Sequence, residues 1–209
     1  GNQYRKKTWP ISKFIELSSA AEPRESQKDN FVRLIKIPAF QIVLLMSIGI
    51  FFFNHGLNNW LPEILRSKGL SAIEAGYLAS IPAAFAVIAS LLIPRLATPN
   101  RRIWILFIVF SACGVSSLML QSADETFLLT ALLLQGIARG SMMTLSILIL
   151  LDLPQVGSKR AGVAGGMFFS AAEIGGVMGP VSIGMMSDWS GGFSSTLYML
   201  TTVSVFLLF

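Results

Sequence analysis

Two ionisable side chains sit where the surrounding sequence gives them no water. Arg139 lies in the middle of Thr126–Leu151, a run with no other charged residue, thirteen uncharged residues before it and twelve after. Glu173 is the only charge between Ala161 and Ser187, again near the middle. A helix crosses a bilayer in about 20 residues. An arginine at that depth costs about 2.5–3.5 kcal/mol on insertion scales, so such a charge is expected to face a cavity or a partner. A guanidinium there can hold a carboxylate or a small inorganic anion through charge-assisted hydrogen bonds. The carboxylate has two readings: it carries a coupling proton, or it forms an ion pair that neutralises Arg139.

Amides accompany these charges. Gln135 lies one turn before Arg139 and shares its face of a helix. Asn54 and Asn58 are four apart, so a helix also puts them on one face. They read as solute-binding groups or outer-gate lining, and equally as an ordinary polar helix end. Gly56 among these amides suggests a local break in the helix. His55 is the only histidine and reads as a satisfied polar residue near an interface. One histidine and one cysteine make no metal site, no nucleotide loop of the G-x-x-x-x-G-K-[ST] type occurs, and no cofactor is expected. Cys113 reads as a small packing residue in an apolar span.

The elements that must position these residues follow from composition. The chain is 53% hydrophobic and 13% charged, against about 25% charged in soluble domains. Its mean hydropathy is +0.66. This predicts an all-α membrane protein built as a six-helix bundle. The spans run over about Pro38–Trp60 with Pro62 at the far end, Ala72–Ile93, Ile103–Leu120, Thr126–Leu151, Ala161–Ser187, and from Phe193 to a cut-off at Phe209. Ser71 with Glu74 and Ser122 with Glu125 have the spacing of capping boxes before the second and fourth spans. Residues 1–37 read as a solvated connector, with a weakly amphipathic alternative around Trp9, Ile11, Phe14, Ile15 and Leu17. No signal peptide is visible, and the two ends of the sequence read as those of a piece of a longer protein.

Basic residues report orientation rather than nucleic-acid binding. Eight of the sixteen lie in residues 1–37, three before the third span (Arg95, Arg101, Arg102) and two before the fifth (Lys159, Arg160). The intervening loops on the other side hold only Arg66 and Lys68. This places the N-terminal connector in the cytoplasm and the chain in the plasma membrane. Trp60 and Trp189 fall at interfaces, where aromatic anchors are expected. Three GxxxG spacings, Gly136–Gly140, Gly162–Gly166 and Gly175–Gly179, allow close helix approach, either as static packing or as surfaces that slide.

A basic connector followed by six helices resembles the C-terminal half of a major facilitator superfamily transporter. The likeness rests on Asn59-Trp60-Leu61-Pro62-Glu63-Ile64-Leu65, then Gly69-Leu70-Ser71 and Ala75-Gly76, then Gly175-Gly176-Val177-Met178-Gly179-Pro180 with Gly184 and Asp188. Ser90-Leu91-Leu92-Ile93-Pro94 and the Trp-Leu-Pro motif are similar to cyanate-transporter relatives. The resemblance implies that the six spans are helices seven to twelve. It implies that the first and fourth line a solute path near the midplane, and that an N-terminal half supplies the other wall. It also implies gating contacts in the loop between the second and third spans. There Arg101 and Arg102 are kept, but Ala97 stands where the family's acidic residue is expected. The reading is a secondary active transporter of a small anion, symporter or antiporter, working by alternating access. A non-transporting membrane sensor on the same fold is the alternative. An intramembrane enzyme lacks a nucleophile and base at depth, and a channel lacks a filter segment.

Overall fold

The computed structural model describes residues 27–122 and 124–209. They form seven helices: α1 Gln27–Ile35, α2 Pro38–Arg66, α3 Ala72–Leu96, α4 Arg102–Met119, α5 Glu125–Asp152, α6 Gly157–Ser190 and α7 Ser194–Phe206. Five of them, α2 to α6, are long and apolar enough to cross a membrane. The sixth expected span is the 13-residue α7. The amphipathic alternative at Trp9–Leu17 lies outside the described residues. Within the expected connector, residues 27–35 are helical, and Leu34 is buried in a small core with Phe40, Val43, Leu150 and Phe168.

Local chemistry sets the helix ends. Ser71 Oγ accepts from the Glu74 backbone N–H at 3.3 Å while Glu74 accepts from the Ser71 N–H at 2.9 Å, the reciprocal box that starts α3. At α5 the cap is Asp124, not the expected Ser122. Asp124 Oδ1 accepts from the N–H groups of Thr126 and Phe127, while Ser122 Oγ accepts from the N–H of Asp124. An aspartate at the cap itself outcompetes a serine two residues further out because it reaches two orphan donors. Pro62 does not end α2, which continues to Arg66. Proline lacks the N–H that would bond the Asn58 carbonyl, so the helix passes through with that carbonyl released from its usual donor.

The packing has two seams that glycine makes possible. Along α2 and α6, a Cβ at Gly175 would collide with the Ile48 carbonyl oxygen and one at Gly179 with the Phe52 carbonyl oxygen. Along α3 and α5, a Cβ at Gly136 would stand 2.6 Å from the Pro82 carbonyl oxygen, and one at Gly140 would collide with that of Ala86. Backbones this close leave room for hydrogen only. Ser47 Oγ donates to the Phe168 carbonyl at 3.2 Å, and Trp60 Nε1 to the Pro180 carbonyl at 2.9 Å. Trp60 is therefore a clasp between α2 and α6, lying over Gly184 and beside Phe193. Trp189 is exposed.

The third small-residue pair behaves differently. A Cβ at Gly162 or Gly166 meets nothing within 4 Å among the described residues. Both glycines border a cavity of about 1520 Å³ at the basic end, beside α1. The contrast sets an expectation. Gly175→Ala and Gly140→Ala should lower stability by about 1–3 kcal/mol, the usual cost of overpacking, while Gly162→Ala should not. Thermal unfolding of the purified variants in detergent measures this, and equal losses at all three positions would contradict the seam assignment.

Candidate functional site

One face of α2 and one of α5 meet at a second, smaller cavity of about 210 Å³. Its wall is Phe51, Asn54, His55 and Asn58 from α2, with Arg139 and Met143 from α5. The α2 residues follow the i, i+3, i+4, i+7 rhythm of a single helical stripe, and the α5 pair is one turn apart. The helix of α2 is unbroken here. Gly56 does not unwind it; that glycine faces α6, where an added Cβ would lie 2.8 Å from Ile183 Cδ1. Seam packing, not a hinge, is the reason for a glycine among the amides.

Arg139 is half-buried, and its Nη1 donates to Asn58 Oδ1 at 2.6 Å. This uses one of five guanidinium donors. Among the described residues no ion pair joins Arg139 to Glu173, so the paired reading is corrected. Matching depth did bring Glu173 to the level of the site, but on the flank of α6. A Cβ at Gly176 would lie 3.1 Å from Glu173 Oε2, 3.6 Å from Phe51 Cδ1 and 3.8 Å from His55 Cγ. The Glu173 carboxylate stays exposed on its own helix, and the guanidinium keeps a neutral amide. His55 stacks on Phe51 with ring centroids 5.1 Å apart and planes 19° from parallel.

Two amides in the region lack partners. Asn54 Oδ1 is buried without a hydrogen bond. Gln135 is fully buried, and both its amide atoms are unpartnered. Gln135 does not line the cavity, so its expected place beside Arg139 on the solute-facing wall is not realised. Asn54, Asn58 and Arg139 are brought together as expected. Phe51 and Met143 were not singled out from the sequence, although the turn spacings Phe51–His55 and Arg139–Met143 were available as the signal. The larger cavity at the basic end is lined by Lys28, Asn30, Lys159 and Ser170 among apolar side chains, whereas the smaller one gathers Asn54, His55 and Asn58 around the mid-span Arg139, and we take the smaller one as the candidate.

The two loop arginines are separated in role. Arg102 Nε donates to the Ala97 carbonyl at 3.0 Å, and its Nη1 engages the Asp152 carboxylate and the Leu148 carbonyl. The acidic partner missing at Ala97 is thereby supplied from the end of α5. Arg101 is exposed at the N-cap position of α4, and its backbone oxygen accepts from Ile105.

Comparison with known proteins bears on this arrangement of bilayer-length helices around a polar cavity. Residues 43–209 match the family model described as Major Facilitator Superfamily. The chain belongs to that superfamily. It is 30% identical over 192 residues to a quinolone resistance transporter of Acinetobacter baumannii, covering 89% of this chain and 41% of that protein. It is 30% identical over 164 residues to a putative tartrate transporter of Agrobacterium vitis, covering 69% of this chain and 32% of the relative. An uncharacterized transporter of Bacillus subtilis strain 168, YycB, matches at 26% identity over 168 residues, 78% of this chain and 40% of its own length. The superfamily member described here is an integral membrane protein that spans less than half the length of each of these transporters.

The buried Gln135 amide yields a test of the local energetics. An unpartnered buried amide costs about 1–3 kcal/mol. Gln135→Met, similar in shape and apolar, should raise the unfolding midpoint in detergent. A clear fall would show that the amide has a partner in the folded protein.

Proposed function

We propose that this chain forms one wall of a secondary active transporter and that its small cavity receives an anionic solute. The observation that carries the reading is the Arg139 guanidinium. It opens into a cavity, is held by an amide oxygen, and among the described residues has no carboxylate upon it. A mid-bilayer cation left with a neutral partner retains its affinity for a negative ligand, and a carboxylate fits a guanidinium through two parallel hydrogen bonds. Asn54 and Asn58 supply amide contacts along the same stripe, and Phe51 and Met143 an apolar side. One of the relatives bears the name putative tartrate transporter, and tartrate is a carboxylate, which agrees with a carboxylate-bearing solute.

Alternating access would expose this wall to each face of the membrane in turn, against a second wall contributed by an N-terminal half. The basic loops orient the α1 end toward the cytoplasm of a plasma-membrane protein. On that side Arg102, tied to Ala97, Leu148 and Asp152, holds α4 to α5. Such a clamp can stay closed while the solute site is open to the outside, and Arg101 is available beside it.

The complete protein in detergent, titrated with formate, benzoate and tartrate, tests this reading. Charge-assisted hydrogen bonds contribute about 1.5–3 kcal/mol, so Arg139→Gln should weaken binding of the best of the three by about tenfold or more. Neutral benzamide should not compete. Unchanged affinity in the variant, or equal binding of benzamide, would overturn the anion assignment.

A further inference from the structure

The small cavity has an ionic end and an aromatic end. Along the glycine seam Gly136 meets Pro82 and Gly140 meets Ala86, so α5 runs parallel to α3. α3 doubles back on α2 after a short turn, so α5 runs opposite to α2. Arg139 is fixed at the level of Asn58 by its 2.6 Å hydrogen bond. Met143, one turn further along α5, is therefore carried toward Phe51, which lies two turns of α2, about 10 Å, before Asn58. Other rings hold Phe51 in place. It packs edge-on to Phe169 with centroids 6.4 Å apart, Phe169 packs edge-on to Phe168 at 5.5 Å, and the His55 imidazole stacks on Phe51 at 5.1 Å. Phe51 and Phe168 are buried, so this row of rings has little freedom to turn. Phe51 and His55 present it to the cavity, and the polarisable Met143 thioether borders the same space from α5.

We infer that the solute is an aromatic monocarboxylate, with its carboxylate on Arg139 and its ring between Met143 and the Phe51–His55 pair. The inference rests on the anion reading above and names the rest of the solute. Rings favour offset-stacked or edge-to-face aromatic neighbours because of their quadrupoles, and a thioether beside a ring is favourable too. A saturated ring of similar size fills the space without either gain. The space on this wall is about 210 Å³. That is smaller than the roughly 300–1,000 Å³ of sites for drug-sized ligands, and it suits a single ring with its carboxylate. The charge count sets the valence. Of the six lining residues Arg139 is the permanent cation and none is acidic. One carboxylate satisfies it. A second carboxylate at the far side of the ring would point at Phe51 and Met143, where a desolvated charge has no partner. An anion with no ring would reach Arg139 and leave the aromatic end bare.

The complete protein in detergent, at about pH 8 and so above the titration of free imidazole, is titrated calorimetrically with benzoate, cyclohexanecarboxylate, terephthalate and formate. Benzoate should bind about threefold to tenfold more tightly than cyclohexanecarboxylate, the range for an aromatic pair beyond its buried area. It should bind at least about tenfold more tightly than terephthalate, whose second charge is left unpaired, and more tightly than formate. In Phe51→Leu the preference for benzoate over cyclohexanecarboxylate should shrink to within about twofold, and in His55→Leu it should also fall. The preference is a ratio taken within one preparation, so a partly destabilised variant still reports it. His55 is exposed, and His55→Leu carries the test if Phe51→Leu does not fold. Cyclohexanecarboxylate or terephthalate binding as tightly as benzoate overturns the aromatic monocarboxylate and leaves the anion reading standing, because each still brings a carboxylate to Arg139. A preference that persists unchanged in the variants also overturns it, since the ring is then recognised elsewhere. Benzoate affinity unaffected by Arg139→Gln strikes instead at the anion reading on which the proposal depends.

Discussion

A guanidinium in the middle of a bilayer-length helix must find hydration, a counter-charge or a ligand, and the rest of this bundle is arranged around that requirement. Arg139 keeps its charge away from lipid by facing α2, where Asn58 accepts one of its hydrogen bonds. An amide oxygen orients the guanidinium without cancelling its charge. Had Glu173 filled that place, the pair would be closed and neutral, and opening it would leave two uncompensated charges. An amide partner can be displaced by a carboxylate at much lower cost.

The geometry that keeps Glu173 away comes from glycines. Gly175 and Gly179 bring α6 into backbone contact with α2 at Ile48 and Phe52, and this fixes the rotation of α6 about its axis. With those glycines on the seam, Glu173 falls to an exposed flank of α6. Gly136 and Gly140 fix α5 against α3 at Pro82 and Ala86 in the same way, and so set the direction in which Arg139 leaves its helix. Contacts between backbones hold such angles more firmly than interdigitated long side chains, because there are no rotamers to adjust. The stripe at Gly162 and Gly166 has no such backbone neighbour among the described residues.

Much of this was legible in the sequence, and the failures share a cause. Span positions, the Ser71 cap and the grouping of Arg139 with Asn54 and Asn58 follow from hydropathy and from helical spacing within one element. The expected pairing of Arg139 with Glu173 followed from depth alone. Depth is set by position along a helix, but contact also needs the azimuth, which depends on which face packs. The GxxxG pair at Gly175 and Gly179 carried that information, since a seam there turns Glu173 aside. His55 read as a satisfied polar residue near an interface, and it lines the cavity that Arg139 borders from another helix. Pro62 misled for a related reason. It looked like a boundary marker in one dimension, and in the fold α2 passes straight through it. The acidic partner of Arg102 was sought in its own loop at Ala97 and arrives from Asp152, fifty residues along the chain.

The central claim is that the anion binds at Arg139 in place of a fixed counter-ion. The most direct measurement is a structure of the complete protein with 4-iodobenzoate, whose iodine marks the ligand by anomalous scattering. The account requires the carboxylate on the Arg139 guanidinium and the ring against Phe51 and Met143. An iodine peak only at the basic-end cavity, or Arg139 closed onto Glu173 with the ligand elsewhere, would contradict it.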